Sequence, residues 1–529
     1  MNKIIGFLIS REEKCPIVDF FNAGLTTIHL KCRSYSIYLW GTGDINQCIV
    51  NCKYSLSFPL HNNLLDRNVI LCFEDENIII ENDWLGSIPI FYNTKEIIIS
   101  TLPNLCVKNK EIHQEGLKNF CEFGYSVFEQ TFFKDVRFLR YYSKLIIDKK
   151  GLTVEYKDDL PLEKILNNQR NYEEPTIDLI KTYIQEIEGK LNGEIIIPTS
   201  GGYDSRLLNF LIKDKSRIRS FTYGISENQT DSYEVVFAKK LSEILGTEWQ
   251  QIKLAEFYKY INHWFGIYGI STHLHGMYHI EFYQKIFEHY TFSNPTLLSG
   301  IFGDVWAGSI NYKSINCIDD LIHLGYTHGL SLNLKYLRYE YKGDSKLKQS
   351  FFNKFGDYLK DDRAKTLFTI RLKIILISYL LTLPDYFGVP SWTPFLNLEI
   401  ANAMLNMEKR KRESRIWQRD FFKKFGLNLE DMNLKSTKSN KLDYKIAQHA
   451  RLELIDIEMM KKYVDEKRLQ EINTILSNLT LFEKLKNELI DIRKVGGVLR
   501  RLGFKNEYLK ALYEYCVIKA IEKGLKNVS

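Results

Sequence analysis

The run Glu194-Ile195-Ile196-Ile197-Pro198-Thr199, followed at once by Ser200-Gly201-Gly202-Tyr203-Asp204-Ser205, constrains this chain more than any other stretch. An apolar strand ends on Pro198, which cannot donate to a ladder and marks where pairing stops. Two consecutive glycines let the backbone approach a ligand closely. Their amides, with the Ser200 and Ser205 hydroxyls, can cradle a phosphate or pyrophosphate. Asp204 in the same loop can hold Mg²⁺ against those phosphates. Arg206 to Asp214 reads as a helix with a large apolar face, so the loop falls at a helix N-terminus. The unit is strand, anion loop, helix, but it is not the Gly-x4-Gly-Lys-Ser/Thr phosphate loop.

The alternation continues downstream. Ile218 to Tyr223 reads as a second strand, and Ser232 to Leu245 as a helix stopped by Gly246. Glu248 to Ile252 reads as a third strand and Thr296 to Ser299 as a fourth. This pattern, over residues 194–310, predicts an α/β fold: a parallel sheet covered by helices, with ligands at the carboxyl ends of the strands. A second loop, Ser299-Gly300-Ile301-Phe302-Gly303-Asp304, follows the fourth strand. Asp304 would then share a Mg²⁺ with Asp204, since that ion takes oxygen ligands from a few carboxylates and substrate phosphates. The plainer alternative is that Asp304 caps a helix beginning at Val305.

The flanking regions differ. Residues 1–155 carry short alternating apolar runs, among them Ile4 to Ile9, Ser36 to Trp40, Val69 to Phe73 and Ile97 to Ser100. They predict a β-rich domain of stacked antiparallel sheets. Residues 160–185 are polar, carry Pro161 and Pro175, and read as a linker running into a helix. Residues 360–529 read as mostly helical and increasingly basic. A length of 529 residues gives two or three domains, and 45% hydrophobic with 26% charged residues is the composition of a soluble globular protein. A net charge of +7 on 72 basic and 65 acidic side chains is too diffuse to argue for nucleic acid. The apolar runs at Ile4–Ile9 and Ile374–Leu383 are too short for a secretion signal and a membrane span respectively. The second reads as a buried helix. Nine irregularly spaced cysteines fit reduced, mostly buried thiols in a cytoplasm.

Taken in order, these motifs resemble the asparagine synthetase-like family, which includes β-lactam synthetases and lasso-peptide cyclases and belongs with the N-type ATP pyrophosphatases. Ser200–Ser205 is similar to that family's Ser-Gly-Gly-x-Asp-Ser loop, and Ser220-Phe221-Thr222 to its next strand. Asp231–Glu234 matches an acidic helix start, Ser299–Val305 the second Asp loop, and Trp392–Asn397 a later Pro-Phe-Leu-Asp-like segment. Asn82–Tyr92, Phe123–Tyr125 and Thr131–Val136 resemble segments of the family's glutaminase-like domain. The resemblance covers about residues 1–450 and implies three parts. These are a degenerate glutaminase-like α+β sandwich of the Ntn-hydrolase type at 1–155, an adenine nucleotide α-hydrolase-like synthetase domain at 175–450, and a helical extension at 451–529.

The chain departs from the family in two places. Glutamine-hydrolysing members use a cysteine exposed at position 1, whereas this chain begins Met1-Asn2-Lys3. A carboxamide is no nucleophile, so no glutaminase follows. Cys15 is a remote substitute. Ile301 stands where relatives carry a carboxylate or a tyrosine used in proton removal, and Val305 replaces an acidic residue.

Ser271–His279 supplies His273, His275 and His279 as candidate bases, set on one side by an extended backbone. The alternative is a polar loop with incidental histidines. In the family, a loop lysine neutralises the charge of acyl transfer. Lys438 occupies that region, with Lys435 as the second choice, against a solvated basic turn. Asp231 and Glu234 have capping-box spacing. Arg412, Arg415 and Arg419 read as a helix face.

The resemblance implies an ATP- and Mg²⁺-dependent, AMP-forming ligase that joins a small-molecule or carrier-linked carboxylate to an amine or ammonia. In it Ser200, Gly201, Gly202, Ser205 and Gly300 would hold pyrophosphate, and Thr222 would border adenine. Amidation of an acidic sugar of a bacterial surface polysaccharide is the first expectation, and cyclisation of an amino acid or peptide the second. A tRNA-modifying pyrophosphatase or an inactive scaffold are the other classes. Neither nucleic acid nor a membrane is expected as a partner.

Overall fold

The computed structural model describes residues 1–74, 77–168, 173–310, 313–325, 329–477 and 506–527, together with Leu489. Two six-stranded antiparallel sheets occupy the N-terminal part. One runs, in spatial order, Val136–Phe138, Phe91–Asn93, Ile99–Ser100, Lys3–Ser10, Tyr35–Thr42 and Thr26–Cys32. The other runs Gly151–Tyr156, Ser143–Asp148, Ile78–Asn82, Val69–Phe73, Lys53–Ser55 and Ile49–Val50. Alternate residues of facing strands, including Phe7, Ile37, Leu71, Ile80 and Leu145, interdigitate as one dry core. Lys3–Ser10 is buried on both sides, because its opposite face packs on the rest of the chain.

The third sheet has five strands, all parallel: Glu248–Gln251, Ile218–Thr222, Ile195–Pro198, Thr296–Leu298 and Ser391–Trp392. In chain order that is 3-2-1-4-5, so the direction of winding reverses between Ile195–Pro198 and Thr296–Leu298. The fold is therefore mixed α/β. Such a reversal opens a crevice outside the carboxyl ends of the two strands, where ligands bind in open α/β sheets. Ser391–Trp392 is too short to register as a strand in the sequence.

Helices replace the expected linker. Leu160–Asn167 is capped by the Asp159 side chain, which accepts from the Leu162 amide, and Glu173–Lys190 follows. Pro161 and Pro175 read as breakers, yet each sits in the first turn of its helix, where the missing N–H is lost at no cost. The apolar run 374–383 belongs to two consecutive helices, Asp362–Ile377 and Tyr379–Tyr386. Together they are long and apolar enough to cross a membrane, but two-thirds (67%) of that stretch is buried within the protein. All nine cysteines are free thiols; Cys48, Cys106, Cys121 and Cys516 are buried, while Cys15, Cys52 and Cys317 are exposed. The expected helical character of the C-terminal part holds over the described residues, ending in Glu507–Asn527. Residues 478–488, 490–505 and 528–529 of the expected 451–529 extension lie outside them.

Trp84 and Lys3 are among the residues that tie the sandwich to the segments around the parallel sheet. Trp84 donates through Nε1 to the Leu396 carbonyl at 2.9 Å and stacks on Trp306 at 6.1 Å between rings. Lys3, 1% exposed, places Nζ at 2.7 Å from both carboxylate oxygens of Asp385, itself 2% exposed. Burial pulls the Lys3 ammonium down to about 8, with Asp385 holding it up. Removing one member of a buried ion pair leaves an uncompensated charge, typically at a cost of ~3–5 kcal/mol. Asp385 also faces buried Arg67 at 3.7 Å and accepts from the Ser391 amide at 2.9 Å, so Asp385→Asn should lower the thermal midpoint sharply and by more than Lys3→Met. A midpoint unchanged in Asp385→Asn would show that these contacts do not hold the junction.

Candidate active site

Both loops of the crevice come from glycine conformations that side chains would block. Gly201 has φ +70°, and a Cβ there would lie 2.3 Å from the Phe237 Cβ. Its carbonyl accepts from Arg206 Nη2 at 2.7 Å. Arg206 is wholly buried and also binds Glu430 through both guanidinium nitrogens, at 2.9 and 3.0 Å. This fork fixes the glycine loop from behind. The helix Tyr203–Leu211 starts inside the loop rather than at Arg206, so Asp204 sits in its first turn. Ser205 Oγ accepts from the Ser200 amide at 3.3 Å, and Ser200 Oγ from the Gly202 amide at 3.4 Å.

The second loop packs directly on the first. A methyl at Gly303 would stand 2.8 Å from Asp204 Oδ1, and one at Gly300 would stand 3.1 Å from Asp204 Cβ. Phe302 takes φ +72°, a left-handed conformation that costs a non-glycine residue free energy. It is the N-cap of the short helix Gly303–Trp306, so Asp304 lies within that helix and does not cap one starting at Val305. Ser309 Oγ donates to Asp304 Oδ2 at 3.2 Å.

The two carboxylates therefore meet at the switch point. Burial, and then the charge of Asp304, push the Asp204 carboxyl up to about 7; a hydrogen bond from Gln418 Nε2 at 3.1 Å and the charge of Arg415 hold it down. Asp304 in turn supports the charge of Lys373, which burial opposes. Gln418, Arg415 and Lys373 were not legible as site residues. Arg415 read as part of a helix face, but Ser414 and Arg415 both take positive φ, breaking the helix. The guanidinium of Arg415 then lies 5.0 Å from the Tyr203 ring, beside the glycine loop. The paired carboxylates fit a divalent cation: their oxygens are hard donors, and a cation would offset the repulsion that raises Asp204. Among the described residues no cluster of three or more His, Cys, Asp or Glu side chains could hold a metal, so phosphate oxygens would complete the shell.

The other expected residues spread around this centre. Thr222 ends the neighbouring strand, but its hydroxyl is taken: it donates to the Thr199 carbonyl and accepts from Trp249 Nε1 at 3.0 Å. The loop carrying Lys435 and Lys438 lies along the start of the helix Tyr233–Leu245. Thr437 donates to the Asp231 carbonyl at 2.7 Å and accepts from the Tyr233 amide at 2.9 Å. Lys438 stands 4.4 Å above the Tyr233 ring, which stacks on Phe237, the residue against Gly201. Lys438 is thus joined to the glycine loop through two rings, and exposed Lys435 is three residues before it. The capping box does not form: Ser232 is the N-cap, and Asp231 accepts from Asn228 instead.

The extended segment expected at the histidines does not form: residues 274–277 turn into the helix Tyr278–His289, and the His273 and His275 rings lie 6.1 Å apart. His273 is 3% exposed, and burial lowers it to about 3; its Nδ1 accepts from the His275 amide at 3.2 Å. His279 is likewise lowered to about 3 by burial and packs between Tyr278 and Tyr379. Only His275 of the three meets a carboxylate, pairing through Nε2 with Asp443, whose other oxygen accepts from the Tyr258 hydroxyl at 3.0 Å. At the N-terminus, Asn2 is engaged structurally, accepting from the Asp44 amide at 3.0 Å and donating to Gln47 at 2.6 Å. Cys15 is exposed, and its Sγ bonds only to the Pro16 carbonyl, at 3.8 Å.

Asp204 supplies a pH signature. Its folded value of about 7 exceeds its ordinary 3.8, so between these values the folded state holds a proton that the unfolded state has released. Stability should fall as pH rises through that window. Asp204→Asn should flatten the fall and be more stable than the parent at pH 8, read by thermal denaturation without metal. An unchanged pH profile would contradict the close pairing of Asp204 and Asp304. Comparison with protein-family models and with curated proteins finds no match for the chain, so the geometry carries the functional reading.

Proposed function

We propose that the chain is an ATP- and Mg²⁺-dependent ligase that adenylates a substrate carboxylate and passes it to an amine or ammonia. The observation that carries this reading is the meeting of Asp204 and Asp304 on neighbouring loops at the point where the parallel sheet reverses its winding. Around them lie a glycine loop at a helix N-terminus and the cations Arg415, Lys373 and Lys438. On this reading the parallel sheet is of the adenine nucleotide α-hydrolase type, and the chain is asparagine synthetase-like. The two antiparallel sheets are then a degenerate Ntn-type glutaminase domain.

Asp204 and Asp304 would hold Mg²⁺, which supplies charge neutralisation at the phosphates. The glycine-loop amides, with Ser200 and Ser205, bind the leaving pyrophosphate, and Arg206 keeps the loop open by holding the Gly201 carbonyl. Lys438 and Arg415 stabilise negative charge as the acyl group transfers. Thr222 fixes the strand end beside the nucleotide rather than lending its hydroxyl. On this reading the amine or ammonia arrives as a co-substrate. An acidic sugar is the acid this reading favours, with intramolecular cyclisation second.

Incubation with ATP, Mg²⁺ and panels of acids and amines should release AMP and pyrophosphate only with a matched pair, with or without glutamine. Asp204→Asn and Asp304→Asn should each reduce this turnover by at least ~10²–10³-fold, the size of loss seen when one transition-state charge partner is removed. Release of ADP and phosphate, or near-normal turnover in either variant, would overturn the assignment.

A further inference from the structure

A second cavity system lies away from the crevice, between the sandwich and the helices Lys346–Phe355 and Asp362–Ile377. Two connected hollows of about 50 and about 240 Å³ share the walls Phe128, Glu129, Arg140, Phe351 and Phe355. The smaller is closed at depth by Phe138, Tyr141 and Leu372. Its floor is apolar and aromatic: Phe128 meets Phe351 edge-on at 5.4 Å, and Phe351 meets Phe355 at 5.1 Å. Phe128 and Glu129 both take positive φ, at +55° and +62°, so the backbone that presents them is held in a costly conformation.

The charges of the walls are unbalanced. Arg140, Arg137 and Lys354 line the larger hollow, and Glu129 is its only acid. That carboxylate already accepts from the Tyr156 hydroxyl at 2.7 Å. The nearby Asp159 is engaged by Arg371 at 2.6 and 2.9 Å. Arg140 stacks on the Tyr156 ring at 4.1 Å, and its Nε is buried with no hydrogen-bond partner. The Tyr141 hydroxyl, on a residue 8% exposed, is likewise buried without a partner. Buried donors of this kind are satisfied in native proteins by protein, water or ligand. Burial, and then the charge of Arg140, lower the Lys354 ammonium, while Glu129 and Asp159 hold it up.

We propose that this cavity binds a small aryl carboxylate, with its ring among Phe128, Phe351 and Phe355 and its carboxylate on Arg140 and Lys354. The size fits: a cavity of about 150 Å³ accepts benzene, so about 240 Å³ accepts one ring with a short acidic tail. A carboxylate relieves the Arg140–Lys354 repulsion and supplies an acceptor to the buried guanidinium donor. No glycine loop or paired carboxylates line the cavity, so it is a binding site separate from the ligase chemistry. The same helix that closes it through Arg371 and Leu372 carries Lys373 toward Asp304.

Isothermal titration of the full chain with 4-phenylbutyrate, and with 4-phenylbutanol as its neutral counterpart, tests this. The carboxylate should bind saturably at one site, and the alcohol ~10–100-fold more weakly, the range for a charge-assisted hydrogen bond. Arg140→Gln should weaken the carboxylate by the same range without affecting the alcohol, and exposed Lys354→Gln by a smaller factor in a chain whose fold it does not touch. Asp204→Asn should bind 4-phenylbutyrate as the parent does, separating this cavity from the crevice. The absence of saturable binding into the millimolar range, equal affinity for acid and alcohol, or unchanged affinity in Arg140→Gln and Lys354→Gln would overturn the proposal.

Discussion

Two carboxylates brought together at the reversal point of a parallel sheet set the demands that the surrounding structure meets. Like charges at close range raise the free energy of the folded chain unless protonation, a hydrogen-bond donor or a cation offsets it. Gln418, Arg415 and Lys373 each answer part of that demand, and each comes from a segment more than 60 residues away from both loops. Gly300 and Gly303 are needed because any side chain there would displace Asp204. The strained Phe302 is the backbone cost of turning the second loop tightly enough to bring Asp304 in. A divalent cation at the two carboxylates would offset that repulsion.

The sandwich takes part in this arrangement. Trp84 reaches from it to bond Leu396 and to stack on Trp306, two residues beyond Asp304. Trp306 itself donates to the Phe395 carbonyl at 2.8 Å, and Thr393 Oγ1 donates to the Ile301 carbonyl at 3.3 Å. The segment Trp392–Asn397 thus clamps the second loop on one side and the sandwich on the other. The sandwich thus has a mechanical role, because it buttresses the loop that carries Asp304.

What the sequence reveals follows from the range of the interactions. The strand–loop–helix units around Asp204 and Asp304 are written in contiguous residues, so a parallel sheet with two loops at its carboxyl end could be anticipated from the alternation and the glycines, whereas the strand order could not. Pro161 and Pro175 misled because a proline breaks a helix interior but opens a helix, and only the cap at Asp159 distinguishes the two. The extended segment expected at the histidines fails because residues 274–277 turn into a helix. Arg415 and Gln418 were invisible for a different reason. Their approach to Asp204 depends on a left-handed break at Ser414 and Arg415, residues with no glycine or asparagine to announce it. Lys373 reads as one charge in an apolar helix until the fold places Asp304 opposite.

The most direct test of the account is a crystal structure of the chain with Mn²⁺ and a non-hydrolysable ATP analogue, using the anomalous signal of the metal. A manganese peak held by Asp204 and Asp304 is expected, with the analogue's phosphates against the amides of residues 201–205. A metal held elsewhere, or an analogue bound away from the Ser200–Ser205 loop, would contradict it.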